Sequence, residues 1–228
     1  MMRTTIYIIL FSLFVPGMIH GQVMEEREIG SFSSLKVGEG ISVYLEKGQK
    51  ESIKIETERG GADRVVTELS GRTLKVHFEG NSSRSRDVKL YVTFVNLNEI
   101  YASSAAGVYS KSIIESNDLE ISVSSAATVE LVIDAGEVEV AVSTSGDLVL
   151  EGKTAFLEAK VSTAGDIDAY NLEAGHVIIS ASTAGSARVN ATKEIEARAA
   201  TAGEIRYRGN PDKSHTDAST GGSVRKSD

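Results

Sequence analysis

The chain of 228 residues has no cysteine, no tryptophan and only 2 prolines, and its longest basic cluster is Arg84-Ser85-Arg86. Without cysteine there is no disulfide framework, thiol nucleophile, Cys-ligated metal centre or acylated cysteine anchor. With 24 basic against 32 acidic side chains the formal charge is -8, the wrong sign for neutralising nucleic-acid phosphates, so no nucleic-acid partner is expected. Long apolar runs are scarce too. The run from Ile6 to Val15 is about half of the roughly 20 residues that span a bilayer. Preceded by Arg3 and broken by Pro16-Gly17, it reads as a secretory signal over residues 1–21, with cleavage after Gly21. Its removal leaves a charge of -9 and no segment of membrane-spanning length. The mature chain is expected to be exported, periplasmic or extracellular, and to hold together without the disulfides its compartment would permit.

What the sequence has in quantity is repetition. One motif recurs as Ser103-Ser-Ala-Ala-Gly107, Ser124-Ser-Ala-Ala-Thr128, Ser143-Thr-Ser-Gly-Asp147, Ser162-Thr-Ala-Gly-Asp166, Ser182-Thr-Ala-Gly-Ser186, Ala200-Thr-Ala-Gly-Glu204 and Ser219-Thr-Gly-Gly-Ser223, at steps of 21, 19, 19, 20, 18 and 19 residues. A step this constant marks a solenoid with one rung per repeat. Before each motif, apolar residues alternate with polar ones, as in Leu119, Ile121 and Val123 or Val138, Val140 and Val142. Alternation resumes after it, as in Leu148 and Leu150. Period two means strands with one buried face, and no helical stripe of apolar residues interrupts it. The fold class expected is all-β: a single-domain parallel β-solenoid of about 19 residues per rung, its seven motif copies extending the sheet by about 34 Å.

Equivalent corner residues should form columns along the stack. Thr144, Thr163, Thr183, Thr201 and Thr220 would make a hydroxyl ladder inside the corner, continued by Ser104 and Ser125. Gly146, Gly165, Gly185 and Gly203 would mark a positive φ or a close approach of backbones. Residues 22–100 alternate less regularly and are expected to cap the stack, ahead of regular repeats over 101–223 and a tail over 224–228. Ala62 to Leu69 fits either one helical turn or a hairpin turning at Ser70-Gly71.

Chemistry-bearing residues are few. Of four histidines, His20 falls in the signal, and His77, His176 and His215 show no metal-ligand spacing. No Gly-x-Ser-x-Gly elbow occurs. Asp147 and Asp166 should stack on successive rungs, with Glu204 in the same column, as a solvated turn edge rather than a catalytic pair or a calcium site. Neither cofactor nor catalytic residue is expected. Tyr44, Tyr91, Tyr101, Tyr109 and Tyr170 fall on the outward parity of their strands, and Tyr91, Tyr101 and Tyr109 are the candidate binding group, because exposed tyrosine combines ring packing with a hydroxyl handle.

The succession Arg27-x-Ile29-x-x-Phe32, Leu35-x-Val37, Gly40-x-x-Val43-x-Leu45-x-x-Gly48, Leu74-x-Val76 and Val92-x-Phe94-x-x-Leu97-x-x-Ile100, followed by Ser-Thr-Ala-Gly-Asp corners, resembles the bacterial head GIN domain family of putative auto-transporter adhesins over about residues 27–227. The resemblance implies a right-handed β-helix-like fold, an adhesive role and no established catalytic residues. The expected function is therefore a non-enzymatic envelope or cell-surface interaction protein with a protein or glycan ligand. The alternative is a carbohydrate-binding or carbohydrate-active β-helix protein.

Overall fold

The computed structural model describes residues 23–57, 61–80, 88–110 and 112–227. Residues 1–21, where a secretory signal is expected, and Arg84-Ser85-Arg86 lie outside these. The chain forms β1 (Val23–Glu28), β2 (Ser34–Val37), β3 (Ser42–Lys47), β4 (Ser52–Thr57), a 3-10 turn (Ala62–Arg64), β5 (Val65–Ser70), β6 (Thr73–Phe78) and β7 (Val88–Phe94). It continues through β8 (Glu99–Ala102), β9 (Gly107–Ser110), β10 (Ile114–Val123), β11 (Thr128–Val142), β12 (Asp147–Val161), β13 (Asp166–Ala181), β14 (Ser186–Ala199), β15 (Glu204–Arg208), β16 (Lys213–Ala218) and β17 (Ser223–Lys226). Of the two readings of Ala62 to Leu69 the hairpin holds: Val65–Ser70, which includes Val66 and Leu69, is a strand that turns at Ser70-Gly71 back onto β6, and the 3-10 turn is confined to Ala62–Arg64 before it.

These strands make a parallel β-solenoid with about 19 residues per rung. Each rung has two sides. The first side, before the corner, carries β2, β6, β8, β10, the C-terminal halves of β11 to β14, and β16. The second side, after the corner, carries β3, β7, β9, the N-terminal halves of β11 to β14, β15 and β17. Inward residues of the two sides meet in one core, where Leu35, Leu90, Ile100, Ile121, Leu148, Ile167 and Ile205 are fully buried. Hydrophobic burial on this scale, rather than local propensity, makes a narrow stack stable.

The corners differ from the expectation in one respect. In each, the fourth residue donates its N–H to the carbonyl of the first, as Gly146 does to Ser143 at 2.9 Å and Gly165 to Ser162 at 3.0 Å. The positive φ belongs to the two central residues, 51° at Thr144 and 58° at Ser145, 51° at Thr163 and 57° at Ala164, as in a type I′ turn. The glycines are required for close approach instead: a Cβ on Gly203 would stand 2.3 Å from the Ala181 carbonyl oxygen of the neighbouring rung. The threonine side chains are exposed, so the column forms outside the corner and not as the internal hydroxyl ladder expected. What joins successive corners is backbone. Ser145, Ala164, Ala184 and Ala202 donate their N–H groups to the carbonyls of Thr163, Thr183, Thr201 and Thr220 at 3.1 to 3.2 Å.

An eighth corner lies outside the seven repeated motifs. Gly38-Glu39-Gly40-Ile41 has positive φ at Glu39 and Gly40, and Gly40 donates to the Ser104 carbonyl at 2.9 Å, continuing the same ladder. The rung it belongs to is stacked out of chain order. β2 lies between β6 and β8, and β3 between β7 and β9. Antiparallel strands then close this end, β5 on β6, and β4 on β7 with β1 outside it. Arg27 seals the closure: its guanidinium donates to the carbonyls of Val65 at 2.6 Å and Ala62 at 3.0 Å and to the Thr67 hydroxyl at 3.0 Å.

Candidate interaction surface

Parallel in-register stacking turns each outward position into a row about 4.8 Å in pitch. On the second side, Tyr44 is paired in register with Tyr91 on one side and Tyr109 on the other. The three rings stack, with centroids 5.4 Å and 5.3 Å apart and interplanar angles of 23° and 25°. The Tyr91 hydroxyl donates to Glu56 at 3.1 Å. Gly107 lies beneath Tyr109, where a Cβ would come within 2.7 Å of ring atom Cε2 and 2.9 Å of the hydroxyl oxygen. Glycine at this position lets the ring lie along the strand surface. Burial raises the hydroxyl pKa of both outer tyrosines, followed by the Glu56 hydrogen bond at Tyr91 and by the Glu130 charge at Tyr109.

Of the candidate group, Tyr91 and Tyr109 therefore share one row, and Tyr44 joins them. Tyr101 does not. It sits before the corner, on the other side of the rung, with the Lys36 ammonium 4.5 Å from its ring centroid. Sequence parity put all of these tyrosines outside but could not rank them, because the row order depends on the out-of-order rung. Tyr170 lies near the far end of the stack, its hydroxyl bonded to Ser227 at 2.9 Å and its ring under the Arg208 guanidinium.

Beyond Tyr109 the row continues with Glu130 and Val149. In the neighbouring row, Gly107, Thr128, Asp147 and Asp166 follow one another. Asp166 and Asp168 are both held by Arg188, at 3.2 Å and 3.3 Å. The Asp147 carboxyl is raised above the usual range by partial burial and then by Asp166, with Arg188 opposing. Asp147 and Asp166 are indeed neighbours on successive rungs, on an open sheet surface. Glu204 is in the same column, two rungs past Asp166.

The first side carries a feature that went unread in the sequence. Glu99, Glu120, Glu139 and Glu158 stand in consecutive register, with Asp118 and Glu137 in the adjoining row. Their spacings of 21, 19 and 19 residues equal the corner spacing, and that was the available signal. A shallow polar groove lined by Glu99, Glu120, Glu139, Asp118 and Glu137 runs beside Asn98. His77 is half-buried, with Nδ1 enclosed. Among the described residues no cluster of His, Asp and Glu has the geometry of a metal site, and no helix is long and apolar enough to cross a membrane.

Comparison with solved structures finds the same fold in several proteins. A putative adhesin from Bacteroides fragilis NCTC 9343 is 20% identical with a TM-score of 0.85, over 91% of this chain and 97% of that one. A putative adhesin from Parabacteroides merdae ATCC 43184 is 19% identical with a TM-score of 0.70, over 91% and 96%. A structure from Parabacteroides distasonis ATCC 8503 described as a putative lipid binding protein is 21% identical with a TM-score of 0.62, over 90% and 97%. Comparison with curated proteins finds no significant match. The family model described as "Putative auto-transporter adhesin, head GIN domain" matches residues 31–211, and on that match, which takes in the out-of-order rung and six of the seven repeated corners, the chain belongs to this family.

Proposed function

We propose that this chain is an exported, non-enzymatic interaction module of the bacterial envelope or cell surface, an adhesin-like β-solenoid that binds through its outer rows. The observation that carries the reading is the division of labour across each rung. Inside, small and branched apolar residues repeat with little change, while outside the rows differ in chemistry: stacked tyrosines on one side, stacked glutamates on the other. Solenoids use such extended faces for recognition, since side chains at fixed pitch form a broad contact area. The membership in a family of described adhesins supports the same conclusion.

Catalysis finds less support in this geometry. A glycosidase needs one carboxyl as acid and a second as base or nucleophile, about 5 to 10 Å apart across a bound sugar. Here Asp166 is neutralised by Arg188, and its neighbour Asp147 lies on an open sheet surface. The test is a glycan array and a surface-binding assay with the mature chain, run beside a reducing-sugar assay. Saturable binding without turnover is expected. Turnover of any glycan would overturn the reading, and so would a native protein recovered from the cytoplasm with residues 1–21 intact.

A further inference from the structure

We propose that the return edge of the first rungs, from Arg72 to Gly136, is a binding groove for an extended neutral oligosaccharide. The groove lies between the two outer faces, so it goes beyond the reading of the outer rows and is tested separately from it.

In the later rungs the strand runs unbroken through the return, as β11 does over Thr128–Val142 and β12 over Asp147–Val161. The threaded end has no such cover. β6 is entered from the tight turn at Ser70-Gly71, and residues 29–33 before β2 and 95–98 before β8 are not strand. The missing strands leave an open cavity of about 920 Å³, lined from Arg72 and Ser33 through Asn98 and Asn117 to Gly136, a volume in the range of small-molecule sites. Backbone bonds mark its steps: Ser33 donates to the Arg72 carbonyl at 3.0 Å, Asn98 to Ser33 at 2.9 Å and Glu120 to Asn98 at 2.9 Å. On the next rung Gly136 lies against the Asn117 carbonyl, 2.7 Å from where a Cβ would stand. The four steps from Arg72 to Gly136 span about 19 Å, and each step of about 4.8 Å is close to one pyranose unit of an extended chain.

The lining offers unspent hydrogen bonds rather than charge. Asn96, Asn98 and Asn117 all face the groove, and among the described residues none of their side-chain amides bonds to the protein. Arg72 uses only Nε, on the Ser33 hydroxyl at 3.1 Å, which leaves both terminal amino groups. Most of the carboxylates are already answered, Glu115 by Lys47 and Asp134 by Lys153 at 3.1 Å. One guanidinium and one carboxylate, Asp118, remain, so the groove holds no excess charge to select an ion. A side-chain amide presents two donors and an acceptor in one plane. That set matches the adjacent hydroxyls of a sugar, each both donor and acceptor. Leu97 and Ala135, both buried, supply an apolar strip for the C–H face of a ring. They are too enclosed to anchor a protein partner, which needs larger side-chain pockets.

The test is isothermal titration calorimetry of the mature chain with cellohexaose, mannohexaose, xylohexaose and the N-acetylglucosamine hexamer, beside the acidic hexagalacturonate. At least one neutral hexamer is expected to bind, with equal affinity at low and physiological ionic strength. Asn98→Ala should weaken it about fivefold and Asn98→Ala with Asn117→Ala about twentyfold, each with the melting temperature of the wild type. Asn98→Asp, of the same shape but without the donor, should lose about as much as Asn98→Ala. Glu158→Gln, on the first side away from the groove, should stay within about twofold. Failure of all four neutral hexamers would overturn the groove, and so would equal affinity for a disaccharide or unchanged binding in the double variant. Tighter binding of hexagalacturonate, or affinity that falls with salt, would overturn the assignment to a neutral sugar. If the hexamers fail while the wild-type chain still binds surfaces, the groove falls and the adhesive reading stands. If a hexamer binds in the groove while the chain binds no surface, the groove stands and the adhesive reading falls.

Discussion

From β8 onward the rungs stack in the order in which they are synthesised, whereas the rungs before it do not. β11 to β14 each lie on their predecessor, every corner bonded to the next by the same backbone donor and acceptor. In the N-terminal region the rung of β2 and β3 is threaded between the rung of β6 and β7 and that of β8 and β9. The ordered region needs no special partner, because a neighbour of the same length always supplies the next set of hydrogen bonds. The threaded region must choose its partners, and its distinctive side chains are those that make the choice: Arg27 over the end and the tyrosine row across three strands far apart in sequence. Aromatic stacking rewards only the register in which the rings meet.

The largest expected effect breaks the ordered region. Gly203→Ala would drive a Cβ into the backbone of the rung below, costing about 3 kcal/mol or more. Denaturant unfolding would show it, and a loss below 1 kcal/mol would mean the rungs are not packed at this distance. Next comes the threaded end. Arg27→Met removes the guanidinium donor from the carbonyls of Val65 and Ala62, the latter keeping only the Val65 N–H of the 3-10 turn, a cost of about 2 kcal/mol. Hydrogen exchange should then rise in β1, β5 and β6 while β11 to β14 keep their protection; uniform loss would show that the regions unfold as one. Tyr44→Ala removes the middle ring of the stack and should cost about 1 to 2 kcal/mol beyond its buried area, with Tyr101→Ala costing less. The smallest effect is a gain. Thr163→Asn places a residue that tolerates positive φ where threonine is strained and should stabilise by up to about 1 kcal/mol, read as a rise in melting temperature. Asp147→Asn should also raise the melting temperature at neutral pH. A carboxyl whose pKa is raised on folding destabilises the native state where it is ionised, so the gain should vanish as pH falls below both of its pKa values.

The ordered region was legible because its register equals its sequence spacing. Seven corners and the alternation between them gave the rung length, the inward set and the solenoid itself. The same arithmetic run on outward residues would have found Glu99, Glu120, Glu139 and Glu158. Thr163 and its equivalents were placed inside the corner because stacked hydroxyls can donate and accept along the axis, and positive φ was assigned to the glycines instead of to them. Turn strain is tolerated here because each rung's backbone bonds hold the corner from both sides. Tyr44 was seen as outward but not as the centre of the site. Its neighbours are fixed by threading, and threading leaves no spacing in the chain.

That threading carries the tyrosine row of the interaction surface, since it alone sets Tyr44 between Tyr91 and Tyr109, and a chain without cysteine allows a clean reading of it. In the structure Lys36 is in direct register with both Lys75 and Tyr101, so that residues 75 and 101 are two strands apart. Cysteines at 36 and 101 should bridge readily, being about 5 Å apart at Cα, while cysteines at 75 and 101, about 10 Å apart, should not. Mass spectrometry after mild oxidation of Lys36→Cys/Tyr101→Cys and Lys75→Cys/Tyr101→Cys would decide it. An intramolecular disulfide in the first chain and free thiols in the second is the result expected, and the opposite pattern, which stacking in chain order would produce, would contradict the account.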